Sequence, residues 1–176
     1  SHVELVDGVT TAALEPLCRR CAWRTFTPGQ QIISRESKDR HVYFIVQGKV
    51  RISVYSAAGR EAAFRDVGAG KCFGKLSAID GLPRSANVKA LEESVIASIS
   101  PQIFWRLLET EPAVMANVVK LLTGTIRALS DRLFDLSTLG IQNRVHAEIL
   151  RLAKEAGMQG RAATIDPAPK HVDIAS

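Results

Sequence analysis

The stretch with the plainest chemical meaning is Phe73-Gly74-Lys75-Leu76-Ser77-Ala78-Ile79-Asp80-Gly81-Leu82-Pro83-Arg84-Ser85-Ala86. It reads as a strand end, a glycine, one turn of helix starting near Leu76 or Ser77, a turn, and Arg-Ser entering the next strand. Gly74 lets another group come close to the backbone, the start of a short helix presents free amides, and Arg84 adds a planar fork of donors. Those are the parts of a cradle for phosphate. The plain alternative for Arg84 is a surface arginine with no ligand.

Other residues with chemical potential form weaker patterns. Cys18 and Cys21 make a CxxC, and Cys72 is the third cysteine of the chain. An iron–sulfur cluster normally needs four thiolates, so burial of the pair on an amphipathic helix with Leu14 and Leu17 is the competing reading. An odd cysteine count suits a reducing compartment better than a disulfide framework. His2, His41, His146 and His171 fall in different segments without HxH or HExxH spacing, and no serine sits in a G-x-S-x-G elbow, so no catalytic or metal constellation is expected. An enzyme is therefore not expected; a cupin-like β-roll metalloenzyme is the rival that a metal assay would test.

Elements that could position the cradle follow from periodicity. Thr11 to Cys21 reads as a short helix stopped by Thr27-Pro28-Gly29. His41–Val46, Val50–Tyr55, Glu61–Val67, Ala86–Leu91 and Val95–Ile99 are short β-branched or aromatic runs separated by glycine-bearing turns, spaced for an antiparallel β-roll. Ser100-Pro101 opens a helix reaching about Thr110. A much longer one starts near Pro112, where Met115, Val119, Leu122, Ile126, Leu129, Leu133 and Leu136 recur at alternating spacings of four and three. That seam predicts a partner helix, while a neighbouring stripe of Val114, Val118, Leu121 and Thr125 predicts packing on the chain's own sheet. Burial of both stripes in one core is the alternative. A last amphipathic helix is expected from about Gln142 to Ala156, before a tail at Ile165–Ser176 that reads as the entry to a further helix.

Composition bounds the rest. The chain has 176 residues, 46% of them hydrophobic and 23% charged, which suits one sensing domain with a helical extension rather than two large cores. No signal-peptide pattern or membrane span is expected, so the reading places the protein in the cytoplasm. A formal charge of +5 is compatible with a polyanionic partner, but the basic residues are scattered among acidic ones rather than gathered in a patch.

The cassette Phe73–Ala86 is similar to the phosphate-binding cassette of cyclic-nucleotide-binding domains, F-G-E-L, a variable loop, then R-S-A. With Tyr43–Val50 (YFIVQGKV), the long helix and Asn143–Ala153 (NRVHAEILRLA), the chain resembles the cyclic-AMP receptor/FNR family of transcription regulators over almost its whole length. The resemblance implies an α+β fold: an antiparallel, jelly-roll-like β-roll sensor over 1–110, a dimerisation helix over 111–139, and at 140–176 the beginning of a winged helix-turn-helix domain whose recognition helix is absent. It implies that Gly74, Lys75, Leu76, Ser77, Arg84 and Ser85 line the effector site, and that Leu129 and Ser130 reach the nucleotide base, Ser130 from either subunit. A cyclic nucleotide, cyclic AMP or cyclic GMP, or another phosphate-bearing molecule is the implied effector. A homodimer, a DNA operator bound by the longer protein and RNA polymerase are the implied partners.

Two departures qualify the effector. Lys75 replaces the family's glutamate, and an ammonium has donors only, so the usual acceptor for the ribose hydroxyl is lost. Leu129 stands where the cyclic-AMP receptor has a hydroxyl. Lys75 beside Arg84 would be repelled by roughly 1 kcal/mol in water and about 4 kcal/mol at an effective dielectric of 20. An entering anion relieves that repulsion; a Lys75 turned to solvent over a vestigial pocket is the alternative. A regulator of the same fold that senses redox state through Cys18, Cys21 or Cys72 is the remaining rival.

Overall fold

The computed structural model describes residues 3–55, 61–138 and 141–157. After a short 3₁₀ turn at Glu4–Val6 come α1 (Thr11–Arg20), β1 (Ala22–Phe26), β2 (Gln31–Ile33), β3 (Val42–Gln47), β4 (Lys49–Tyr55), β5 (Glu61–Gly68), β6 (Cys72–Phe73), α2 (Lys75–Asp80), β7 (Asn87–Ala90), β8 (Ser94–Ile99), α3 (Pro101–Thr110), α4 (Pro112–Thr138) and α5 (Ile141–Glu155). The strands form two antiparallel sheets of four, ordered β1-β8-β3-β6 and β2-β7-β4-β5, and this is the expected β-roll followed by a long helix.

Alternation along the strands explains why the sheets face each other. Ile45 and Phe73 from one sheet and Val50, Val67, Val88 and Ala90 from the other meet in a buried cluster with Phe26, Ile33 and Ile96. The opposite side chains of β3 and β8, Val42, Phe44, Ala97 and Ile99, are buried too. So are Leu5 from the N-terminal turn and Phe104, Leu107, Leu108, Val114 and Val118 from α3 and α4. Gly48 shows how tightly the β3–β4 turn is held. Its φ is 91°, and an added Cβ would lie 2.3 Å from Ser94 Oγ and 2.5 Å from the Glu93 carbonyl oxygen.

Caps set the helix limits. Thr10 accepts from the Ala13 amide at the start of α1, and Ser100 from the Ile103 amide at the start of α3, with Pro101 at the first helical position. Strands β1, β2 and β6 were not expected from the pattern. In α1, Leu14 and Leu17 are half-buried but Cys18 is exposed, so the expected burial of the cysteine pair holds only in part, for Cys21.

Two compact units divide the chain, one ending at Leu121 and the other starting at Leu122. In the first, Val114 and Val118 are buried, and Asn117 donates to the carbonyl oxygens of Leu5 (3.2 Å) and Asp7 (2.9 Å), fastening the beginning of α4 to the N-terminal turn. In the second, Ile126, Leu129, Leu133 and Phe134 are exposed. The side chain of Leu136 and the tail 158–176 lie outside the described residues. No helix among the described residues is long and apolar enough to cross a membrane.

Candidate anion-binding site

Gly74 ends β6 in the left-handed region, φ 81°, and α2 begins at Lys75, one residue before the expected start. With no side chain at the cap, no side-chain oxygen covers the first amides of α2. A Cβ at Gly74 would lie 2.8 Å from both Arg84 Nη1 and the His41 carbonyl oxygen, so glycine is required by conformation and by space. Gly81 closes the other end, also left-handed at φ 70°, and the Asp80 carboxylate accepts from the Leu82 amide at 2.9 Å.

Arg84 is 3% exposed. Its Nη1 donates to the Gly74 carbonyl oxygen at 3.0 Å, and its Nη2 to Asp39 Oδ2 at 2.8 Å and to the His41 carbonyl oxygen at 2.9 Å. The guanidinium also lies over the Tyr43 ring, 5.6 Å from its centroid, and Tyr43 stacks on Phe73 at 5.1 Å. One donor, Arg84 Nε, is buried without an acceptor. A buried unsatisfied donor costs about 1–3 kcal/mol, which an acceptor brought by a ligand would recover.

The partners of Arg84 are the residues that sequence reasoning missed. Asp39 accepts from the His41 amide and imidazole, from the Tyr43 hydroxyl and from Arg84. Burial alone would raise the Asp39 carboxyl, but these hydrogen bonds outweigh it and hold it well below the usual carboxylate range. Tyr43 is pushed upward by burial and by the Asp39 carboxylate. Asp39, His41 and Tyr43 stand two residues apart, and that period of two was the signal available in the sequence.

The nominated residues divide into groups. Gly74 and Arg84 meet directly, with α2 running from the same glycine. Ser77 is 4% exposed, and its hydroxyl is 3.4 Å from the Pro83 carbonyl oxygen, closing the cassette loop on itself. Leu76 and Ser85 are exposed, and Lys75 is half-buried. Leu129 and Ser130 belong to the second unit, where Ser130 donates to the Ile126 carbonyl oxygen at 3.0 Å. The indole of Trp105 donates to the Ala78 carbonyl oxygen at 2.9 Å, tying α3 to the cassette helix.

Burial, and after it the nearby Cys18, pushes the Cys21 thiol up to about 11, and burial also raises Cys72. Both are thiols rather than thiolates at neutral pH. Among the described residues no three of His, Cys, Asp and Glu gather so as to hold a metal ion.

The first unit is thus a two-sheet roll in which a buried arginine and a bare helix start meet at one glycine. Residues 23–111 match the cyclic nucleotide-binding domain, and the chain belongs to that family, among its CRP/FNR-type regulators. It is 24% identical over 155 residues to the CRP-like cAMP-activated global transcriptional regulator of Mycobacterium tuberculosis, covering 88% of this chain and 69% of that protein. To the cyclic AMP receptor protein of Thermus thermophilus it is 27% identical over 132 residues, 75% of this chain and 61% of that protein. The solved catabolite activator protein of Thermus thermophilus superposes with a TM-score of 0.71 at 25% identity, covering 86% of this chain and 71% of that one.

Proposed function

We propose that this chain is the effector-sensing and dimerising region of a DNA-binding transcription regulator, and that its effector carries a phosphate or similar anionic group held between Gly74, the start of α2 and Arg84. The observation that carries the reading is the buried Arg84, fixed on Gly74 with Nε still lacking an acceptor. Asp39, with the His41 carbonyl, sets the guanidinium plane, so the arginine is oriented before a ligand arrives. Pre-orientation spares the effector the cost of ordering a long side chain. The relatives named as a cAMP-activated regulator and as a cyclic AMP receptor protein favour a cyclic nucleotide. Lys75, in place of the family's glutamate, favours one bound through its anionic group rather than through its ribose hydroxyl.

The exposed seam of α4 supports a second copy of the chain as partner, since Ile126, Leu129 and Leu133 have heptad spacing and no cover of their own. Leu129 and Ser130 are assigned to the base by family resemblance. Effector binding would favour one of two dimer states and so set the spacing of the DNA-reading modules in the longer protein, to which RNA polymerase is a further proposed partner. Titration calorimetry of the chain with cyclic AMP, cyclic GMP and inorganic phosphate tests the sensor reading. Binding by at least one, lost in Arg84→Ala, is expected; silence with all three would overturn it.

A further inference from the structure

A cavity of about 560 Å³ lies apart from the cradle. Its walls are residues 38–41, which lead into β3, residues 77–81 of α2 and its C-terminal cap, and the first turn of α3 with Trp105. Neither Gly74 nor Arg84 lines it. Asp39 and His41 do, so the residues that anchor the Arg84 guanidinium are also part of this wall.

Two kinds of surface meet there. Trp105 donates its indole N–H to the Ala78 carbonyl oxygen at 2.9 Å, which holds the ring in place, yet the residue is 40% exposed. A tethered, half-open indole is a flat apolar surface that loses little freedom when a ligand covers it. The charged groups are unequally engaged. Asp39 is balanced by Arg84, and Asp80 accepts from the Leu82 amide. The side chains of Lys38 and Arg40 have no hydrogen-bond or ion-pair partner among the described residues. Arg40 reaches across the end of α2, its Nη1 3.7 Å from where a Cβ on Gly81 would stand. With Asp39 offset and His41 counted as neutral, Lys38 and Arg40 oppose the single carboxylate of Asp80, which leaves the lining with a net positive charge.

We propose that this cavity is a second binding site, separate from the cradle, for a small organic acid whose carboxylate pairs with Arg40 and Lys38 while its apolar ring lies on Trp105. The volume falls within the range of small-molecule sites, about 300–1,000 Å³. A guanidinium takes a carboxylate through two parallel bonds, and an indole takes a ring by stacking. The assignment goes beyond the sensor reading and stands whether or not the cradle takes a phosphate.

Trp23 is the only other tryptophan of the chain, so Trp23→Phe leaves the emission of Trp105 as a reporter on this cavity. Titration of that chain with phenylbutyrate is expected to give a saturable change. Phenylbutyramide, of the same shape without the charge, should bind about tenfold more weakly, the loss of one charge-assisted contact. Lys38→Ser with Arg40→Ser should weaken phenylbutyrate by about the same factor. Both positions are exposed, and melting curves report the folding of the variant separately from binding. In excess inorganic phosphate at constant ionic strength, the phenylbutyrate midpoint should hold. A midpoint that climbs in proportion to phosphate puts the acid in the cradle and overturns the second site while leaving the sensor reading intact. An emission that does not saturate, an amide that binds as well as the acid, or a double variant that binds as tightly also overturns it, and none of these bears on the phosphate calorimetry that decides the cradle.

Discussion

Asp39 is where residue chemistry and stability meet. Its carboxyl is held low by four hydrogen bonds in the folded chain and returns to an ordinary value of about 3.9 when unfolded. A depressed folded value means the stabilisation is complete above that ordinary value and is lost as the pH falls below it. Asp39→Asn is expected to cost about 2 kcal/mol at pH 7, since it leaves a buried guanidinium without its counterion. Urea melts should show the gap between variant and wild type narrowing below about pH 4, by up to about 1 kcal/mol per unit given the partial exposure of Asp39. A gap that stays constant from pH 7 to pH 3 would refute the assignment. Cysteine chemistry offers a second check at this scale. Cys18 is exposed while the Cys21 thiol is raised to about 11, so iodoacetamide at pH 8 should label Cys18 well before Cys21, as peptide mass mapping would report.

The elements show what pattern can and cannot reveal. Strands β3, β4, β5, β7 and β8 were legible because β-branched and aromatic runs stood between glycine turns, and α3 because Ser100-Pro101 is a cap followed by a residue suited to the first helical turn. Strand β1 was not, because Trp23, Arg24 and Thr25 are exposed and leave no alternation to read; β2 has three residues and β6 two, held by pairing with β7 and β3 rather than by their own pattern. Within the site, Gly74 and Arg84 were legible because they belong to one short segment. Asp39 lies 45 residues from Arg84 in sequence and reaches it only through the fold. The seam of α4 carries the prediction that belongs to this scale. Ile126→Lys with Leu133→Lys sets like charges on a face that is apolar and exposed in one chain. Sedimentation should report a dimer for the wild type and a monomer for the double variant, with helix content retained. A wild type that sediments as a monomer would end the dimer proposal.

At the scale of the whole molecule, the cradle residues Gly74, Asp39 and Arg84 all belong to the first unit, which also holds Met115 and Val119 of the seam, while Ile126, Leu129 and Leu133 belong to the second. A ligand that binds only the folded form stabilises it by RT ln(1 + [L]/Kd), about 2.7 kcal/mol at a hundredfold excess over Kd. For a unit of this length that corresponds to a rise of about 10 °C in its melting temperature. Scanning calorimetry of the full chain should therefore show the transition of the first unit moving by this amount with an effector probe at saturation. Arg84→Ala should abolish the shift, because it removes the donors that the anion needs. Added salt should shrink it, because charge attraction between solvated groups is screened within about 8 Å at physiological ionic strength. A shift that survives Arg84→Ala would mean the ligand binds elsewhere, and the buried Nε would then be a cost of the fold with no bearing on sensing.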